Sequence, residues 1–161
     1  MRLFLAVSLD DHARASLSRS VADLRAYLQH AQPEGARAVK WVETRNLHLT
    51  LHFLGEVDDR RVPGLVAALE EPFPMAPFDL AFGGWGVFPP KGPARVIWTG
   101  VTGGEPALIT LHRLAAERLA GQGLAIEQRP LAPHLTVGRV KDPTPVSWRD
   151  ARSGTQKAPS R

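Results

Sequence analysis

The chain has no cysteine at all and a single tyrosine among its 161 residues. Without thiols there is no disulfide framework, no thiolate nucleophile and no cysteine-based zinc site, so histidine, serine, threonine and carboxylates must carry any chemistry. No stretch approaches the roughly 18 consecutive apolar residues of a bilayer-spanning helix. The apolar opening after Arg2 is cut short by Asp10 and Asp11, with no small-residue cleavage site behind it, which predicts a first strand of a cytoplasmic protein rather than a leader. Neither sign of charge is scarce: 20 Lys and Arg face 16 Asp and Glu, for a formal +4. That mild excess suits a polyanionic partner such as nucleic acid, although Arg149 falls at the edge of, and Arg152, Lys157 and Arg161 within, a polar tail, 150–161, that reads as disordered.

What is present is patterned. Residues 2–9 form a short apolar run that predicts a buried strand, and the aspartates after it can cap a helix whose inner face is Leu17, Val21, Leu24 and Leu28, ended by Pro33 and Gly35. Lys40–Trp41–Val42 predicts a short strand, and residues 47–54 alternate before Gly55 stops them. Asp58 and Asp59 open a second helix with Val62, Leu65, Val66 and Leu69 inward. Three prolines within residues 71–77 mark a linker. Beyond it come strands over 78–87 and 95–101, a helix over 106–120 with Leu108, Leu111, Leu114, Ala115 and Leu119 inward, and a last alternating strand over 134–140. Each half thus has strands, a helix and one strand with a shared tripeptide. This predicts an α+β chain of two similar lobes, about 1–75 and 76–149, built from mostly antiparallel sheet.

The shared tripeptide is His-Leu-Thr, at His48–Leu49–Thr50 and again at His134–Leu135–Thr136. On a strand His48 and Thr50 project from one face while Leu47, Leu49, Leu51 and Phe53 take the other; His134 and Thr136 repeat the geometry against Leu135 and Val137. With an ordinary pKa of ~6.5, one imidazole can begin neutral as a base while the other begins charged as an acid. A threonine two residues on can donate to an anionic oxygen held between the strands. Two such pairs closing on a phosphate make a base, an acid and two oxyanion donors without a metal. His52 shares the face of His48 in this register and is a candidate for RNA phosphate contact. Trp41 and Trp85 are candidates for stacking a base or for packing, whereas His12, His30 and His112 read as surface residues of helices. No phosphate-binding P-loop, serine-nucleophile elbow or zinc helix motif is present, and no cofactor is implied.

The two His-x-Thr-x motifs, inside HLTLHFLGEV and RPLAPHLTVGRV, with RLFLAVSLDD, KWVETRNLHLT, GGWGVFP and RVIWTGV between and before them, resemble the 2H phosphoesterase superfamily. Within it the chain is similar to the bacterial and archaeal RNA 2',3'-cyclic phosphodiesterases, also called 2'-5' RNA ligases, over residues 2 to about 141. The resemblance implies a bilobal fold with a central cleft, and hydrolysis of ribose 2',3'-cyclic phosphate ends of RNA to 2'-phosphates by a monomer, with reversible 2'-5' joining as a side activity. It gives His48 the protonation of the departing 3' oxygen, His134 the activation of water, Thr50 and Thr136 the nonbridging oxygens, and Arg129 the neutralisation of charge on phosphorus. The residues alone leave open which histidine is acid and which base. They also fit a noncatalytic protein gripping cyclic-phosphate RNA ends in the same cleft. The superfamily pattern further implies a closing strand after the second motif, where this sequence is polar and proline-bearing; an uncovered sheet edge there would invite pairing with another chain.

Overall fold

A computed structural model describes residues 1–127 and 129–141, so the expected tail at 150–161 lies outside the described residues. The chain begins with β1 (Arg2–Ser8) and enters α1 (Asp11–Ala31), whose first turn is closed by the Asp10 carboxylate accepting from the Ala13 N–H at 2.7 Å. Pro33 does not simply end this helix. It stands at the first position of a short second one, α2 (Pro33–Ala38), where a missing N–H costs nothing. Then follow β2 (Val39–Trp41), β3 (His48–Glu56), α3 (Val62–Glu70), β4 (Ala81–Phe88), β5 (Val96–Gly103), α4 (Glu105–Gly121) and β6 (His134–Val140).

The strands form one antiparallel sheet in the order β1-β3-β6-β5-β4, with β2 added alongside the far end of β6. The fold class expected from the sequence, α+β with antiparallel pairing, is the one observed. β1 runs the length of β3, and β4, β5 and β6 pair over most of their lengths, but β3 and β6 meet at one position only, Leu49 opposite Leu135. Two groups of strands therefore diverge from a junction between the two motif strands.

The helices cross that junction. Leu17, Leu24 and Leu28 of α1 are buried with Ile97 of β5 and with Leu135, Val137 and Val140 of β6. Conversely, Leu108 of α4 is buried with Leu49 and Leu51 of β3, and Leu119 with Val57 and with Leu65 of α3. The two long helices α1 and α4 thus pack against strands from the other half of the sequence, whereas α3 stays with β1 and β3. The physical reason lies in surface area: β1 and β3 leave an apolar face that the nine-residue α3, with Val66 exposed at 47%, does not cover.

Candidate active site

Leu49 and Leu135, both fully buried, anchor the site from below. Their pairing is antiparallel, so one step along each strand brings His48 level with Thr136 and Thr50 level with His134. All four side chains lie on the face opposite the two leucines and are half-buried. The two motifs are thus related by a local two-fold axis through the leucine pair, with each histidine beside the other motif's threonine.

The histidines are held alike. His48 Nδ1 donates to the Asn46 carbonyl at 2.7 Å, and His134 Nδ1 donates to the Ala132 carbonyl at 2.8 Å, each acceptor two residues upstream. A carbonyl oxygen only accepts, so both rings carry a proton on Nδ1 and leave Nε2 free to take or give one. The sequence places the acceptors: Asn46 ends a 3-10 turn, Thr44–Asn46, and Ala132 precedes Pro133, which is buried beside the strand.

Aromatic rings flank both histidines. The Phe4 ring stacks on His48 with centroids 5.0 Å apart, and Phe88 meets His134 edge-on at 5.0 Å with Trp98 behind it at 6.3 Å. Trp98 is opposite Thr136 and lies against Gly86, where a Cβ would come within 2.1 Å of the indole. Sequence reasoning missed these three. Phe4 belonged to a run expected to be wholly buried, yet Leu3, Leu5 and Val7 face the core while Phe4, Ala6 and Ser8 line the open face. Strict alternation along β1 is the signal that could have separated them.

Three other candidates are placed differently. Between Ala6, opposite Thr50, and Leu5, opposite His52, the register slips by one residue. This bulge buries both Leu51 and His52 and turns Phe53, expected inside, out to 72% exposure. His52 is therefore 4% exposed and away from the open face: its Nε2 donates to the His112 carbonyl at 2.8 Å, and the two imidazoles stack at 4.0 Å. His112, expected on the surface, is its partner. Trp41 sits opposite Gly138 and packs on the core under α1, and Trp85 packs there too. Arg129 is 84% exposed and pairs with Glu127 at 2.7 Å.

Burial, and secondarily the adjacent His52 ring, lower the pKa of His112 below the ordinary histidine value. The unfolded chain then binds a proton at His112 more readily than the folded one, so this imidazole contributes stability that is present above about pH 6.5 and lost as pH falls below it. The melting temperature is expected to drop between pH 7 and pH 5. His112→Gln should shrink that drop while leaving the His52 bond, since the acceptor is backbone; an undiminished drop in the variant would assign the acid loss elsewhere.

Known proteins resemble this chain over most of its length. A family model described as LigT-like phosphoesterase matches residues 13–98, which contain the first motif. A protein of Archaeoglobus fulgidus named RNA 2',3'-cyclic phosphodiesterase is 38% identical over 145 residues, covering 90% of this chain and 76% of its own. One of the same name from Thermus thermophilus is 34% identical over 151 residues, covering 90% and 71%. Among solved structures, that of a Thermus thermophilus protein superposes with a TM-score of 0.69 at 31% identity, over 91% of this chain and 78% of that one. Escherichia coli LigT complexed with 3'-AMP gives 0.66 at 30% identity, over 91% and 76%. The two in-register His-x-Thr pairs, the antiparallel fold and these relatives together place the chain in the LigT-like family of 2H phosphoesterases, to which it belongs.

Proposed function

We propose that the protein is an RNA 2',3'-cyclic phosphodiesterase that hydrolyses ribose 2',3'-cyclic phosphate ends to 2'-phosphates, and that His48, His134, Thr50 and Thr136 do the work. The observation that carries this reading is the Leu49–Leu135 pairing, which sets two histidines with free Nε2 atoms and two threonine hydroxyls around one two-fold axis. A cyclic phosphate on that axis meets one imidazole on each side. His134 takes a proton from water as the water oxygen bonds to phosphorus; the bond from phosphorus to the 3' oxygen breaks, and His48 gives its proton to that oxygen. The Thr50 and Thr136 hydroxyls donate to the nonbridging oxygens, where negative charge grows.

Arg129 would join them by exchanging Glu127 for phosphate, an equally charge-assisted partner for its guanidinium. We read the enzyme as a cytoplasmic monomer acting on RNA ends and cyclic nucleotides without metal or cofactor; reversible 2'-5' joining is the same chemistry with a 5'-hydroxyl in the place of water. Among the described residues no helix is long and apolar enough to cross a membrane.

The deciding experiment is to incubate an oligonucleotide ending in a 2',3'-cyclic phosphate with the protein and identify the new end. A 2'-phosphate, formed at an undiminished rate in strong chelator, is the expected product. A 3'-phosphate would reverse the bond broken, and binding without turnover would leave an RNA-end-binding protein.

A further inference from the structure

The hydrogen bond from each histidine Nδ1 fixes one ring atom and no more. The ring can still pivot about that bond, and the pivot swings Nε2 away from the axis on which it must act. Misplacement by about 1 Å is enough to cost a reaction a hundredfold. A second contact is needed to fix the plane of the ring.

For His48 that contact is Phe4. Their rings are 27° from parallel with centroids 5.0 Å apart. Phe4 and Ser8 lie on one face of β1 with Ala6 between them, and Ser8 is the residue opposite His48. The phenyl ring thus reaches the imidazole diagonally, across the small side chain of Ala6. Burial is not what keeps a phenylalanine there: Phe4 is 51% exposed and, among the described residues, takes part in none of the buried clusters. Its ring neighbours are His48 and the outward-turned Phe53, tilted at 6.5 Å. At the other motif Phe88 meets His134 edge-on, at 85°, and Trp98 backs both.

We propose that Phe4 is a positioning residue for His48, bracing the imidazole plane so that Nε2 points into the cleft, and that Phe88 does the same for His134. The proposal rests on the reading of His48 as a proton-transfer group. Phe4 suits a test because its exposure lets it be cut back with little loss of core.

Steady-state kinetics with adenosine 2',3'-cyclic phosphate should show Phe4→Leu lowering kcat about threefold to tenfold, the range expected for loss of one aromatic pair, with KM unchanged. Phe4→Tyr, which keeps the ring, should restore kcat. Ile109→Ala, which trims an exposed apolar residue of α4, should leave both constants alone. The proposal is overturned if Phe4→Leu raises KM with kcat intact, because the ring then holds substrate; if it changes nothing; or if Ile109→Ala matches it. Long-range proton–nitrogen NMR of the His48 ring gives a readout that needs no turnover. One sharp Nδ1–H form in the unmodified protein that becomes broadened or mixed in Phe4→Leu supports the brace, and an unchanged ring spectrum overturns it. Absence of turnover in the unmodified protein would instead sink the catalytic reading, with the ring spectrum still deciding on the brace.

Discussion

His48→Ala and His134→Ala are each expected to lower kcat on a 2',3'-cyclic phosphate by about 10² to 10⁴, the usual loss when one general acid or base is removed. Little stability should go with it. Both rings stand half-buried on the open face, and the bonds they give up end on the Asn46 and Ala132 carbonyls, which water can then reach. The pH profiles carry more information than the rates. A reaction that needs one imidazole neutral and one protonated has a bell-shaped profile, and each variant should lose a different limb. The variant that no longer loses activity on the alkaline side has lost the acid, and the other has lost the base, which settles the division of roles between the two motifs. Near-normal turnover in either variant would end the two-histidine mechanism.

The threonine pair should have the next largest effect. Thr50→Val or Thr136→Val alone removes one hydroxyl donor while keeping a β-branched side chain on its strand, and a loss of about tenfold is expected because the remaining donor and water serve the same oxygens. Removing both should cost about 10² to 10³ in kcat, since loss of an oxyanion donor is worth about that much where nothing replaces it. Thr→Ser at both positions keeps the hydroxyls and should recover most of the rate. Full activity in the double valine variant would make the threonines strand residues and nothing else. The two-fold register adds a directional expectation: each threonine lies level with the opposite motif's histidine, so Thr136→Val should be more nearly additive with His134→Ala than with His48→Ala.

The quartet was legible in the sequence because its signal is local. A period of two around Leu49 and Leu135, and the same tripeptide twice, are enough to put four side chains on the face away from the core. What sequence reading missed depends on partners far along the chain. His52 has the parity of His48, and only the slip against Leu5 and Ala6 turns it inward; nothing in residues 47–54 announces that slip. His112 reads as a surface residue until β3 supplies a ring to cover it. Trp41 stands close to His48 in sequence, but its strand joins the end of β6 and carries it under α1. The helix spans were predictable from apolar spacing, whereas their destinations were not, since the same leucine stripe on α4 would fit either group of strands.

Those destinations have a consequence for synthesis of the chain. When Glu56 has left the ribosome, β1 and β3 can already pair, yet Leu49 and Leu51 lack their buried partner Leu108 until Glu105–Gly121 follows. The helix α1 waits longer still, because the strand bearing Leu135, Val137 and Val140 is the last described element to be made. The nascent chain therefore holds one apolar face open until α4 emerges and the other until the second motif does, and contacts of such long sequence separation fold slowly. The motif that completes the active site is also the one whose arrival lets the first helix settle.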